Sequence, residues 1–201
     1  MVQQEEIKLF MRKVGSFVVL CISIGLFMIN NSYAKDYQID YLKSRVVFSG
    51  NHADNKFTGY VQKYQSKIIF DKNNLKNSKI EVIFDMNSFK TGNDMYDGAL
   101  PSKDWLNVKN YPKGYFKSTK IIDNSGGNFQ MEGNLIIKNI TKKINLIFII
   151  KDLDKSLLNV KSDFKINRLD FDIGRESDDS GEWVDLEIDV SLDLIVKTSY
   201  E

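Results

Sequence analysis

Reactive side chains are scarce in this sequence, which has one cysteine and one histidine among 201 residues. Two such residues cannot build a disulfide framework or a Cys/His zinc site, and a Ser-His-Asp triad would depend entirely on His52. Lys+Arg total 28 and Asp+Glu total 27, so the net charge of +1 gives no overall basic field to attract nucleic acid or an anionic membrane. We therefore expect no nucleic-acid partner.

The remaining composition is that of an ordinary folded domain. Hydrophobic residues make up 42% and charged residues 27% of the chain, which is too apolar for a disordered protein. The length suits one domain or two small ones, and the sequence shows no internal repeat, low-complexity tract or linker. The sequence therefore predicts a single packed domain.

The first 34 residues have the order of a secretory signal peptide. Basic residues precede an apolar run over 14–29, which is short for a segment that has to cross a bilayer. Ser32 and Ala34 are small residues three and one positions before a cut ahead of Lys35. This pattern predicts a signal peptide at 1–34, and an uncleaved N-terminal anchor is the alternative interpretation.

Cleavage after Ala34 would leave a single domain at 35–201. The removed segment carries one net positive charge and Cys21, so the mature domain would be formally neutral and free of cysteine. A domain of this size buries enough apolar surface to fold without disulfides. We expect a periplasmic protein with no membrane span after cleavage, as a monomer or a homodimer.

Alternation of apolar and polar residues with period two dominates the mature chain. It is longest from Val184 to Val196, as in a strand with one wet face. Short polar turns such as 124–127 join most of the alternating segments and predict antiparallel pairing. The eight strand candidates are 37–48, 57–70, 80–86, 115–123, 129–137, 143–152, 158–166 and 184–196.

The stretch 93–112 departs from this alternation and is typical of one or two helical turns broken at Pro101. Eight antiparallel strands can stack as a sandwich or close into an up-and-down barrel, which has no edge strands and can hold one small ligand. Many phenylalanine, isoleucine and leucine residues supply the interior. From periodicity alone, they can line a cavity or fill a solid core.

Two polar clusters are candidates for a metal site. His52 lies in the polar turn 50–55, where Asp54 is too close in sequence to be a convincing second ligand, so a hydrogen-bonding histidine is favoured. Acidic residues from Glu176 to Glu187 have a partial calcium-loop spacing, but Val184 takes a ligand position and no helices flank the segment. A solvated hairpin loop is favoured and calcium binding is the alternative, so we predict no metal site.

The sequence offers no set of residues for catalysis. Asp94 and Asp97 share one helical face, beside each other rather than across a cleft, and helix N-terminal charge explains them. A P-loop, a dinucleotide fingerprint and a nucleophile elbow are all missing from the sequence. We therefore expect a protein that is not an enzyme.

A series of short motifs runs through nearly all of the mature chain. The most specific is Asp85-Met86-Asn87-Ser88-Phe89-Lys90-Thr91-Gly92-Asn93, followed by Tyr96-Asp97, Leu100-Pro101 and Trp105-Leu106-Asn107-Val108. Tyr37-Gln38-Ile39-Asp40, Lys56-Phe57-Thr58-Gly59 and Asn167-Arg168-Leu169-Asp170-Phe171-Asp172-Ile173-Gly174 add to it. Together they resemble the YceI-like, polyisoprenoid-binding family of exported bacterial proteins. Asn139, Lys143 and Tyr96 stand where that family usually has glycine, proline and arginine.

The resemblance implies an all-β fold: an eight-stranded antiparallel, lipocalin-like barrel with a short helical excursion near residues 93–107. It implies a lumen that holds a long-chain isoprenoid or quinone-like lipid, with no catalysis and no cofactor besides that lipid. Burial of an apolar chain gains roughly 25 cal/mol per Å² of surface removed from water, enough for tight binding without charged contacts. On this basis the excursion would form the lid or mouth, with His52 and Asp97 near the polar head of the ligand.

The expected ligand-binding residues of the lumen and mouth are Val46, Phe48, His52, Phe57, Val82, Phe84, Met86, Asp97, Leu100, Trp105, Phe116, Leu135, Ile137, Phe164 and Phe171. Two other classes of protein remain open. One is an exported interaction or stress-related structural module with a filled core. The other is a secreted hydrolase in which His52, Asp97 or the acidic loop converge on a cleft. Of these three classes of protein, we rank the lipid carrier first, the interaction module second and the hydrolase third.

Overall fold

A computed structural model describes residues 35–154 and 156–199. The predicted signal peptide at 1–34 lies outside the described residues. In the described part of the chain, strand segments far outnumber helical ones. The strands are β1 (Lys35–Ile39), β2 (Arg45–His52), β3 (Asn55–Val61), β4 (Tyr64–Phe70), β5 (Lys79–Asp85), β6 (Phe89–Lys90), β7 (Lys113–Asp123), β8 (Asn128–Ile137), β9 (Ile140–Asp152), β10 (Leu157–Asn167) and β11 (Glu187–Thr198). The helices are α1 (Asp94–Ala99) and short 3₁₀ turns at Leu75–Asn77, Met86–Ser88 and Arg168–Phe171.

These segments form one closed antiparallel barrel of eight strands. Three of the eight are long strands interrupted once each, namely β1 with β2, β3 with β4, and β5 with β6. Each of the eight barrel strands, counted in this way, pairs with its neighbour in sequence. The last of them, β11, pairs with both β1 and β2 and so closes the ring. The expected all-β, eight-stranded antiparallel barrel is therefore confirmed.

Serine side chains hold two of the interruptions. The hydroxyl of Ser44, between β1 and β2, accepts a hydrogen bond from the backbone N–H of Ile195 at 2.9 Å. The hydroxyl of Ser88, between β5 and β6, accepts from the backbone N–H of Lys63 at 3.0 Å. Both hydroxyls thus replace ladder hydrogen bonds where the strands break, so the barrel wall stays continuous.

Alternation of burial along each strand produces the interior. In β8, every second residue from Phe129 to Ile137 is buried, and the residues between them are partly exposed. Successive side chains of a strand point to opposite faces of the sheet, so one face of each strand supplies the barrel interior. Closure then turns these faces toward one another around the axis.

The connections of an up-and-down barrel alternate between its two ends. The turn 53–54, the excursion 91–112, the turn 138–139 and the loop 168–186 therefore share one end, here called the mouth end. The excursion contains α1, with the Asn93 side chain accepting hydrogen bonds from the N–H groups of Met95 and Tyr96 at its start. The helix ends just before Pro101, as the sequence predicts. The opposite end is formed by the connections 71–78, 124–127 and 153–156.

Candidate functional site

The barrel encloses a cavity of about 220 Å³, here called the lumen. Inward-facing side chains from all eight strands line it, and their polar groups are limited to the hydroxyls of Tyr37 and Tyr64. An unpaired charge in such surroundings is very costly, whereas a neutral apolar chain is favoured. The lumen can therefore hold a hydrocarbon chain but is unsuited to an ion.

Aromatic rings fill the end of the lumen opposite the mouth end. Phe129 lies 5.3 Å from both Phe70 and Phe148 between ring centroids, and Phe70 lies 6.4 Å from Phe148. Phe70 and Phe148 line the lumen, and Phe129 is 4% exposed behind them. These contacts close this end of the barrel, so a ligand has more room toward the mouth end.

A second cavity of about 220 Å³ lies at the mouth end and is here called the mouth cavity. The side chain of Phe48 lines both cavities and so stands between them. The other residues that line the mouth cavity come from β2, β3, the excursion and the loop before β11. They are His52, Phe57, Thr91, Met95, Tyr96, Ala99, Leu100, Trp105 and Val184.

His52 and Tyr96 form the main polar contact of the mouth cavity. Nδ1 of His52 lies 3.0 Å from the hydroxyl of Tyr96, and the two rings meet edge to face at 5.5 Å. Phe57 packs against the same tyrosine ring at 6.0 Å. His52 also forms a β-bridge with Val184, which links the β2 end to the loop 168–186. His52 is therefore anchored by neighbours on two elements, the excursion and the loop 168–186.

Asp97 has a local structural role. Its carboxylate accepts hydrogen bonds from the backbone N–H and the hydroxyl of Thr91, at 2.6 and 2.8 Å, and from the N–H of Gly92 at 3.3 Å. The hydrogen bond from the Thr91 N–H is the main reason why the pKa of Asp97 is lower than usual. The carboxylate thus holds the start of the excursion, including Thr91 of the mouth cavity, in place.

A buried ion pair organises the loop beside the mouth cavity. Arg168 is 1% exposed and donates to the carboxylate of Asp178 at 2.8 Å, and it also donates to the backbone carbonyls of Ile173 and Val184. Its guanidinium lies 5.8 Å from the ring centroid of Trp105, which lines the mouth cavity. The ion pair therefore positions two residues that line that cavity, Trp105 and Val184.

Asp178 is an acceptor for the backbone of the same loop. It accepts hydrogen bonds from the N–H groups of Gly181, Glu182, Trp183 and Val184. Burial alone would raise the pKa of Asp178, but the Val184 N–H and the Arg168 charge outweigh burial and lower it. The expectation of a solvated loop is wrong at this position, because the carboxylate is satisfied inside the protein rather than by water.

The described residues contain neither a metal-type cluster nor a membrane-type helix. No group of three or more His, Cys, Asp or Glu side chains within 35–154 and 156–199 is arranged to hold a metal ion. Over the same ranges, the helices are all too short or too polar to cross a bilayer.

A model of the YceI-like domain matches residues 37–196, which is the barrel just described. The chain belongs to the YceI-like family. It is 27% identical over 128 residues to a UPF0312 protein of Vibrio parahaemolyticus, covering 62% of this chain and 68% of that protein. It is 29% identical over 116 residues to a UPF0312 protein of Shewanella denitrificans, covering 56% of this chain and 61% of that relative's own length.

Solved structures share the fold of this YceI-like chain. The structure of BcnA from Burkholderia cenocepacia matches with a TM-score of 0.74 at 22% identity, over 79% of this chain and 99% of that one. A domain from Saccharophagus degradans, described as a polyisoprenoid-binding domain implicated in plant cell wall breakdown, matches with a TM-score of 0.64 at 14% identity, over 82% and 99%. At these identities the likeness speaks for the fold alone.

The YceI-like barrel brings most of the residues predicted from the sequence to one of the two cavities. Those lining the lumen are Val46, Phe48, Val82, Phe84, Met86, Phe116, Leu135, Ile137 and Phe164. Those lining the mouth cavity besides Phe48 are His52, Phe57, Leu100 and Trp105. Asp97 and Phe171 line neither cavity, because Asp97 is bonded to Thr91 and Phe171, 1% exposed, packs in the core.

Sequence reasoning missed two features of the YceI-like site. Tyr64 faces the lumen, and its place in the alternation, two residues before Ser66 and four before Ile68, was the available signal. The Arg168–Asp178 pair had no such signal, because alternation carries no information about a loop. Only the folded loop brings these two side chains together.

Proposed function

We propose that this chain is a periplasmic carrier that holds a long isoprenoid or quinone-like lipid in the lumen of its barrel. The observation that carries this proposal is a cavity of about 220 Å³ whose lining has only two polar side-chain groups. Membership of the YceI-like family and the fold shared with a polyisoprenoid-binding domain support the same ligand class.

The chemistry of the lumen favours a neutral, chain-like ligand. Each Å² of apolar ligand surface removed from water contributes roughly 25 cal/mol, and a flexible hydrocarbon chain can follow the length of a barrel. The neighbouring mouth cavity extends the apolar lining past Phe48, with Phe57 and Leu100 on its walls. A ligand longer than the lumen would place its outer end there, beside His52 and Tyr96.

The remaining two classes of function have less support. A solid interaction module would fill its barrel, whereas this barrel retains a cavity. A hydrolase would need its polar groups to converge, but the Asp97 carboxylate bonds to Thr91 and the Asp178 carboxylate bonds to Arg168. These engaged carboxylates favour a binding function over a catalytic one.

Ligand identity can be tested on protein purified from its own host. We expect organic extraction and mass spectrometry to recover a neutral lipid with an isoprenoid chain, and the extracted protein to bind an apolar fluorescent probe. Absence of both the lipid and probe binding would overturn the carrier function.

A matched pair of variants tests whether the lumen is the binding site. Val160 lines the lumen on β10, whereas Ile149 on the neighbouring strand β9 faces outward and is 40% exposed. Val160→Phe fills part of the lumen and should weaken probe binding about ten-fold or more, because a close-packed interior has no room for both the added phenylalanine ring and the probe. Ile149→Phe adds a similar ring outside and should leave binding unchanged. Equal effects of the two variants would place the ligand elsewhere.

Export is tested separately by fractionation and N-terminal sequencing. We expect the mature protein in the periplasmic fraction with Lys35 as its first residue, since the small residues Ser32 and Ala34 favour cleavage after Ala34. A protein that retains Met1 in the membrane fraction would instead be anchored.

A further inference from the structure

The barrel wall is not hydrogen-bonded along its whole height between β9 and β10. Their ladder starts near the end opposite the mouth end and stops at the pair of Ser162 and Phe148. Beyond this pair, residues 143–147 of β9 and 163–167 of β10, all of which the structure describes, are not ladder partners of each other. The ladders on either side, β8–β9 and β10–β11, run on to the mouth-end connections. The unpaired stretch between β9 and β10 is here called the seam.

Apolar side chains take the place of the ladder in the seam. At its inner end, the hydroxyl of Ser162 donates a hydrogen bond to the carbonyl oxygen of Ile147 at 2.7 Å. Closer to the mouth end, Ile144 and Leu146 of β9 and Phe164 of β10 line the lumen. Separating paired strands would deprive backbone N–H and C=O groups of their partners. Separating β9 from β10 along the seam parts apolar contacts instead and breaks no ladder bond.

The seam is bounded at both of its ends. The ladder that stops at Ser162 and Phe148 holds the inner end. At the mouth end, the 3₁₀ turn that follows β10 places Asp170 at 3.3 Å from Lys142 of β9, and Phe171 of the same turn is 1% exposed in the core. The two strands can therefore part as a slot while the rest of the barrel stays closed.

Both ends of the lumen are obstructed by packed rings. Phe70 and Phe148 belong to the aromatic cluster at the end opposite the mouth end. At the mouth end, a chain moving along the barrel axis would have to pass Phe48 and the joined pair of His52 and Tyr96. Entry along the axis therefore disturbs packed side chains at either end.

We propose that the lipid chain enters and leaves the lumen sideways, through the seam between β9 and β10. This inference rests on the proposed carrier function. The seam is five residues long on each strand, which is roughly 16 Å at 3.3 Å per residue, so a chain can be laid into the lumen along its length. On the outer face of β9, Ile147 is 56% exposed and Ile149 is 40% exposed, and these two side chains give the approach to the seam an apolar surface.

The test locks the seam in a protein without other thiols. Residues 35–201 contain no cysteine, so Asn145→Cys with Lys165→Cys puts two thiols on the seam, at positions that would be partners if the ladder continued. A short bifunctional thiosulfonate reagent joins the thiols, mass spectrometry confirms the link, and a reductant releases it. Stopped-flow fluorescence then gives the uptake and release rates of an alkyl-pyrene probe.

We expect both rates to fall about ten-fold or more in the joined protein and to recover after reduction. Because the link closes the path and leaves the lumen lining intact, both rates should fall by the same factor and the affinity should not change. A loss of affinity at unchanged rates would mean that the link distorts the lumen, and this result would contradict sideways entry.

Ile149→Cys with Lys161→Cys is the matched control, since these residues are opposite each other in the β9–β10 ladder. Each double variant removes one exposed ion pair with β11, namely Lys161 with Asp193 in the control and Lys165 with Glu187 in the seam. Joining the control thiols should leave both rates unchanged, because the ladder already holds the strands together there.

Three results separate this inference from the carrier function. Unchanged rates in the joined seam variant would overturn sideways entry and leave the carrier function standing. Equal slowing in the seam variant and the control would also overturn it, because general motion of the barrel would then be responsible. A wild-type protein that takes up no probe would overturn the carrier function and the sideways route together.

Discussion

Phe48, the side chain between the lumen and the mouth cavity, owes its position to a glycine across the sheet. Phe48 pairs with Gly59 in the β2–β3 ladder, and its ring lies directly over that residue. A Cβ atom at Gly59 would lie 2.1 Å from the Phe48 ring, a distance that real contacts do not reach. The missing side chain of Gly59 therefore sets where the two cavities meet.

Gly59→Ala should consequently destabilise the barrel and alter ligand binding. Its methyl group forces the Phe48 ring to move, and overpacking of this kind costs about 1–3 kcal/mol. Denaturant unfolding should show that loss, and probe binding should change because Phe48 lines both cavities.

Gly98→Ala is the matched control. No atom lies within 4 Å of a Cβ placed at Gly98, which is inside α1, so the variant should gain up to about 1 kcal/mol from helix propensity. A Gly59→Ala protein as stable as the wild type would contradict the packing argument.

At the scale of elements, the loop 168–186 depends on a buried ion pair in addition to apolar packing. Arg168 and Asp178 together bond to backbone groups on both sides of the loop, from Ile173 to Val184. Breaking a buried pair leaves one charge uncompensated, which is more costly than losing a surface pair. The loop should therefore lose its structure as a unit.

Asp178→Asn tests this through stability and its pH dependence. The free energy of unfolding of the variant should be about 3–5 kcal/mol lower at neutral pH, because Arg168 keeps a buried charge without its partner. In the wild type, the folded pKa of Asp178 is lowered, so its contribution is present above the ordinary carboxyl pKa of about 4 and is lost as pH falls through the folded pKa. Unfolding free energies measured from pH 6 to pH 2 should fall less steeply in the variant.

Asp179→Asn provides the comparison, because Asp179 is the exposed neighbour of Asp178. Its stability and its acid profile should follow those of the wild type. A loss of stability in Asp179→Asn equal to that in Asp178→Asn would mean that general loop charge, not the buried pair, is responsible.

The elements also show where sequence reasoning stops. Alternation predicts strand 158–166 to within a residue of β10, but it extends the last strand back to Val184, whereas β11 begins at Glu187. Val184 instead donates to Asp178 and bridges to His52. The break in the predicted strand 37–48 is likewise invisible locally, because the Ser44 bond is to Ile195, far along the chain. Such departures depend on distant partners and not on local pattern.

At the scale of the whole molecule, the alternating pattern predicted eight antiparallel strands, and the family resemblance favoured a barrel over a sandwich and implied its lumen. Period two fixes which side chains point inward, and closure then determines that they surround one space. Alternation alone left that space either filled or empty. The difference depends on the summed volumes of side chains from opposite sides of the barrel, such as Val160 on β10 and Val82 on β5, which share one space only after closure.

A barrel with an apolar lumen should be measurably more stable when the lumen is occupied. A ligand that binds only the folded state adds about 2.7 kcal/mol at a free concentration one hundred times its Kd. For a domain of this size, that raises Tm by roughly 5–10 °C. Calorimetry of extracted protein with increasing quinone-like lipid should show this rise, and Val160→Phe should show a much smaller one at the same concentrations. A wild-type Tm that does not move with lipid concentration would contradict occupancy of the lumen, because binding to the folded state alone must shift the folding equilibrium by mass action.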